Sequence, residues 1–144
     1  MSKDLTRGDR GDAVALFVNI LIRLGFLNTA TDNFDEKVEE AVKGFQQERG
    51  LKVTGVIDQV TSRALEEARY KLGDRVLALT SNGLMHGDDV SNLQSRLVEM
   101  GFNCGKIDGV FGIKTEVAVK EFQKSVGVFV DGKCGPSTLI ALMR

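Results

Sequence analysis

Residues Gly87–Leu142 read GDDVSNLQSRLVEMGFNCGKIDGVFGIKTEVAVKEFQKSVGVFVDGKCGPSTLIAL. Residues Gly11–Leu65 read GDAVALFVNILIRLGFLNTATDNFDEKVEEAVKGFQQERGLKVTGVIDQVTSRAL, the same unit a second time. Up to Phe26/Phe102 the two copies align at an offset of 76, pairing Gly11 with Gly87, Val14 with Val90 and Leu21 with Leu97. One residue is then gained, and Phe34/Phe111, Ala41/Ala118, Phe45/Phe122, Gln46/Gln123, Gly55/Gly132 and Thr61/Thr138 align at 77. An internal repeat of this length predicts two copies of one supersecondary unit. Each has roughly 60 to 70 residues, near the lower limit for a self-supporting core.

Within each copy the apolar spacing predicts three helices. In repeat 2, Val90, Leu93, Leu97 and Met100 form a 3-4 stripe over 88–100, closed by Gly101 in the left-handed conformation. A second helix is expected over 113–126, with Val117, Ala118, Phe122 and Val126 inward. A third is expected over 136–143, with Pro136 in the first turn, where a missing N–H costs nothing. Between the last two, Phe129-Val130 and an Asp-Gly pair predict a short strand or β-hairpin over 128–135, with Lys106-Ile107 as its pairing partner. Repeat 1 parallels this with helices over 12–24, 36–49 and 59–72. Asp35 and Asp58 stand there where repeat 2 has Gly112 and Gly135, an exchange between two N-cap residues. The expected architecture is mainly α: two tandem three-helix domains, each with a short hairpin or loop element. Repeat 1 is placed at 1–73, a linker at 74–83 and repeat 2 at 84–144. Val76, Leu77 and Leu79 make that linker apolar enough to pack.

Composition excludes several functions. The net charge is -1, with signs interspersed, which leaves no basic patch for nucleic acid. The longest apolar stretch, 13–24, is broken by Asn19 and Arg23 and is too short to span a bilayer, so no transmembrane segment is expected. The N-terminus has no apolar core of a signal peptide. With Met1 as the natural start the chain is expected in the cytoplasm; as a fragment of an exported protein it is expected at the cell wall. Cys104 and Cys134 read as reduced thiols. The single histidine, His86, cannot build a three-ligand zinc site, and neither cysteine has an evident base and orienting group. No catalytic residue, metal site or cofactor is therefore expected, and the chain is read as a non-enzyme.

Repeat 2 also carries V-x-x-L-Q-x-x-L, G-F, D-G-x-F-G-x-x-T, A-V-x-x-F-Q and G-V-x-V-D-G-x-x-G-P-x-T in series, from Val90 to Thr138. This series closely resembles the type 1 peptidoglycan-binding domain, a three-helix module attached to cell-wall hydrolases. The resemblance implies binding of peptidoglycan or a muropeptide precursor. Repeat 1 departs from it, with Val18 for Gln94, Thr31-Asp32 for Asp108-Gly109 and Thr54 for Asp131. As a tandem pair the chain resembles the N-terminal half of actinobacterial amidase-like cell-wall regulators. That implies a targeting or regulatory part of an N-acetylmuramoyl-L-alanine amidase-like protein.

The ligand-binding candidates are Asn103, Lys106, Asp108, Gly109, Asp131, Gly132, Lys133 and Ser137, on two polar, glycine-rich loops expected to converge on one side of the bundle. Their structural reading stands beside this: Phe111 anchors its loop, Gly109 permits a turn and Asp108 binds loop amides. The first helix of repeat 1 is apolar nearly all round, with Leu16, Val18, Ile20 and Ile22 outside the expected stripe. Such a helix is buried on more than one side or docks a partner. The alternative function is accordingly a cytosolic interaction module that regulates a peptidoglycan-biosynthesis enzyme or membrane partner.

Overall fold

A computed structural model describes residues 3–144. The described residues hold six helices: α1 (Asp12–Leu24), α2 (Glu36–Arg49), α3 (Gln59–Glu67), α4 (Asp88–Glu99), α5 (Ile113–Val126) and α6 (Pro136–Leu142). The chain divides into two compact units, Met1–Arg69 and Tyr70–Arg144.

In the first unit α1 packs on α2 and α3. Its core joins Val14, Phe17 and Leu21 to Phe34, Phe45 and Leu65. In the second unit α4 packs on α5, and Val90, Leu93 and Leu97 meet Phe111, Phe122 and Leu142. Each core keeps one edge-to-face aromatic pair at the same place: Phe26 on Phe45 at 6.0 Å and Phe102 on Phe122 at 5.7 Å between centroids.

The helix ends follow from local chemistry. Asp35 and Asp58 are N-caps: their carboxylates accept the Val38 and Thr61 amides at 3.0 and 2.8 Å. Gly112 and Gly135 occupy the same places in repeat 2 without a side-chain cap. Gly101, just past α4, has φ 90, the left-handed conformation expected of it.

Four expectations are corrected. No hairpin forms among the described residues; the non-helical pairing there is four isolated antiparallel bridges, Leu5–Ile57, Arg10–Asn33, Leu77–Cys134 and His86–Val110. Cys134 therefore pairs with Leu77 rather than Lys106-Ile107, because the amides of Asp131 and Gly132 are already bound by the Gln123 side chain. Helix α3 stops at Glu67, and the chain turns at Tyr70–Asp74, where the Lys71 amide donates to Asp74 Oδ2. Val117 and Val126 face solvent, since the buried stripe of α5 is Thr115, Ala118, Val119, Phe122 and Gln123, with two polar members. The packing expected of the apolar residues in 74–83 holds for Leu77 and Leu79, which join the second unit, while Val76 is 49% exposed. Leu77 is fully buried in that unit's core and Leu79 packs against it.

Beside Leu77, Arg75 reaches the first turn of α4. Its Nε donates to Asp89 Oδ2 at 2.8 Å, its Nη2 to Asp89 Oδ1 at 3.1 Å and to the His86 carbonyl at 2.8 Å. Asp89 is completely buried, and Tyr70 lies under the guanidinium at 4.2 Å. A buried carboxylate requires this kind of bidentate partner.

Candidate ligand-binding site

Three buried glutamines organise the loops. In the second unit Gln94, on α4, donates through Nε2 to Asp108 Oδ1 (3.2 Å), the Val110 carbonyl (3.0 Å) and Thr115 Oγ1 (3.0 Å), and accepts the Gly109 amide (2.9 Å). Gln123, on α5, repeats the pattern on the second loop. It donates to Asp131 Oδ1 (2.9 Å), the Lys133 carbonyl (3.0 Å) and Thr138 Oγ1 (2.9 Å), and accepts the Asp131 and Gly132 amides (3.1 and 2.9 Å). The sequence on each loop is D-G-x-x-G-x-x-T, Asp108–Thr115 and Asp131–Thr138. One device thus occurs twice within a single unit. Burying a whole amide is tolerable only because every polar atom of it is satisfied.

The first unit keeps one such clamp and dissolves the other. Gln46 binds Thr54, the Val56 carbonyl and Thr61 as Gln123 binds its loop, with a hydroxyl in place of the carboxylate. At the other joint Gln94 and Thr115 are replaced together by Val18 and Val38, both buried. Exchanging a hydrogen-bonded pair for an apolar pair avoids leaving either partner unsatisfied.

The candidate residues can now be placed. Asp108 and Asp131 each spend Oδ1 on the glutamine and on a loop amide, that of Val110 or Lys133, both at 2.9 Å. The Val110 amide, then Gln94, then the Lys106 charge hold the Asp108 carboxyl below the usual range. The Lys133 amide, then Gln123, then the Lys133 charge do so for Asp131. Gly109 and Gly132 both have φ 75. A Cβ on Gly109 would lie 2.8 Å from Ser91 Oγ and 3.2 Å from the Gly87 carbonyl, so these two glycines are required by the backbone. Asn103 accepts the Gly105 amide at 2.9 Å. Asn103, Lys106, Lys133 and Ser137 are exposed.

A cleft of about 580 Å³ lies beside the first loop, lined by Leu79, Leu84, Cys104, Lys106, Asp108, Ile113, Lys114 and Thr115 among others. It takes in Lys106 and Asp108 but not Asp131, Lys133 or Ser137. Ile113 is 70% exposed and Leu84 about half, so apolar surface is offered next to two lysines and a carboxylate. Leu84, Ile113 and Lys114 are cleft residues that the sequence did not single out. Gln94 and Gln123 stood in the sequence only as motif positions, Gln123 also as the repeat match of Gln46, and their structural role was not legible there.

The first unit has a cleft of about 340 Å³ at the same place. Of its eight lining residues, seven align at offset 77 with residues lining the larger cleft: Leu27, Thr29, Thr31, Asp35, Glu36, Lys37 and Val38, the exception being Asn28.

The docking face expected on α1 is largely absent. Val18 and Ile20 are 0% and 3% exposed in the first unit's own core, Ile22 is half-buried against it, and Leu16 alone is exposed, at 39%. Both thiols are buried and unpaired. Burial raises Cys104 and pushes Cys134 up to about 11, which keeps them protonated and weakly nucleophilic. Among the described residues no three His, Cys, Asp or Glu side chains gather as a metal site would require, and no helix is long and apolar enough to cross a membrane.

Comparison with known proteins gives a consistent picture. The sequence profile described as a putative peptidoglycan-binding domain matches residues 10–65 and 86–142. The chain is 42% identical to the N-acetylmuramoyl-L-alanine amidase CwlM of Mycobacterium tuberculosis over 94% of its own length and 36% of that protein's. It is 48% identical to a spore cortex-lytic enzyme of Bacillus cereus over 40% of this chain and 22% of that one. Among solved structures, the SleB N-terminal domain is 42% identical, with a TM-score of 0.45, over 50% of this chain and 93% of that one. The chain thus spans about a third of the length of the CwlM protein it matches.

Proposed function

The chain belongs to the peptidoglycan-binding domain family through both of its repeats, and from that premise we propose that it is the non-catalytic recognition part of an amidase-like cell-wall protein. Its ligand is peptidoglycan or a muropeptide precursor, bound at the cleft of the second unit. The observation that carries this is the cleft itself, where exposed Ile113 and Leu84 adjoin Lys106, Lys114 and Asp108.

The chemistry suits the ligand. A glycan strand with a peptide stem presents apolar sugar faces and methyl groups, hydroxyls, amides and carboxylates. Ile113 and Leu84 cover the apolar parts. The lysines attract a stem carboxylate. Because Gln94 fixes the loop through four hydrogen bonds, little loop entropy is lost on binding. Asp131, Lys133 and Ser137 lie on the other clamped loop, outside this cleft, and are assigned to support rather than to first contact.

Co-sedimentation with purified sacculi tests the reading. The wild-type chain should pellet, and the Lys106→Ala/Ile113→Glu double variant should pellet markedly less with an unchanged circular dichroism spectrum, since both side chains are exposed. Equal pelleting of the two proteins would exclude this cleft.

A further inference from the structure

The two matched clefts differ in charge. On going from the second unit to the first, Lys106 becomes Thr29 and Asp108 becomes Thr31, while Gly112 becomes Asp35 and Ile113 becomes Glu36; Lys37 is kept as Lys114. The larger cleft therefore holds two lysines and one aspartate, and the smaller holds two acids and one lysine. The buried lining changes as well: Leu27 stands for Cys104 and the apolar Val38 for Thr115.

A second concavity of about 760 Å³ shares Leu27, Asn28, Glu36 and Lys37 with the smaller cleft, and adds Phe26 and Glu40. Glu36 is exposed and lines both hollows, as does the half-buried Leu27. Asp35 is committed through Oδ1 to capping α2, which anchors its charge at the cleft edge.

We propose that the first unit carries its own binding site in this cleft, and that the site selects a ligand bearing a free ammonium group. The second unit selects the carboxylate-bearing part of the same class of ligand. The inference rests on the reading that the family's ligand is a glycan-peptide, because such a peptide stem can offer both an amine, on a diamino acid, and a terminal carboxylate. The ammonium would sit between Glu36 and Asp35, with Thr29, Thr31 and Asn28 available to amides and hydroxyls.

Calorimetry on the full chain decides it. The probes are a disaccharide-tetrapeptide with the free side-chain amine of a diamino acid, and the same compound N-acetylated on that amine. Two double variants borrow the residues of the opposite repeat, which the fold already accommodates: Asp35→Gly/Glu36→Ile and Lys106→Thr/Ile113→Glu. For wild type, acetylation should weaken binding at one class of site about fivefold, the scale of an exposed ion pair. In Asp35→Gly/Glu36→Ile that difference should vanish while binding at the other class persists. If acetylation changes nothing in wild type, and Lys106→Thr/Ile113→Glu abolishes binding, the ammonium site is overturned and the second unit's role stands. If the acetylation effect survives in Asp35→Gly/Glu36→Ile, the amine is read elsewhere and the proposal fails. If neither probe binds wild type, both readings fail together.

Discussion

Gln123 shows how much one side chain can determine. It is buried in an otherwise apolar stripe of α5, yet it holds five loop and helix atoms in place. Gln123→Leu would remove the acceptor of two loop amides and the partner of the buried Thr138 hydroxyl, at a cost of about 2–4 kcal/mol. Asp131 reports on the same change. Its folded pKa lies below the unfolded value, so its contribution to stability is present above about pH 4 and is lost as the pH falls through the folded pKa. In the Leu variant a carboxyl-carbon NMR titration should move the Asp131 pKa up toward the ordinary value and shrink that acid-side loss. An unchanged titration would show that Gln123 does not organise the carboxylate. The glutamine was legible as a match in the repeat alignment, but its role was not. A polar residue in a core position has no periodic signature of its function; only the three-dimensional meeting of Gln123, Asp131 and Thr138 reveals it.

At the scale of elements, the starts of all six helices were legible, and the ends of α1, α2 and α5, because cap residues and apolar spacing are local signals. Helix α3 ends early because the chain at Tyr70–Asp74 enters the second unit, a tertiary preference that 59–72 does not encode by itself. The hairpin failed for a related reason, since a side chain took the amides that a partner strand would have used. Helix α1 illustrates the limits of reading faces from composition. Its excess apolar residues could equally cover a partner or close a core, and Val18 and Ile20 close the core. The two kinds of position should separate by mutation. Leu16→Glu should leave the thermal unfolding midpoint nearly unchanged, whereas Ile20→Glu, which buries a charge, should unfold the first unit. An Ile20→Glu protein with native amide dispersion in residues 12–68 would contradict the burial assigned to it.

For the molecule as a whole, the duplication is of a fold and a cleft position, with loop chemistry free to diverge. The second unit also begins earlier than its repeat motif, which matches only from residue 86. Arg75 neutralises the buried Asp89, and Leu77 completes the core. Removing one member of such a pair costs about 3–5 kcal/mol, because the other charge stays buried. A fragment of residues 84–144 should therefore lack a cooperative unfolding transition that a fragment of residues 70–144 retains; equal stability of the two would remove the strap from the domain. The pairing escaped the sequence because Arg75 and Asp89 share no periodic element and Asp89 reads as an ordinary acidic first-turn residue. The central claim concerns where the ligand lies, and amide NMR mapping of the full chain titrated with a soluble muropeptide tests it most directly. The account predicts the largest shifts at Lys106, Asp108, Ile113 and Lys114 of the second unit, with smaller ones over 129–138. Shifts absent from 103–115, with the ligand demonstrably bound elsewhere, would contradict it.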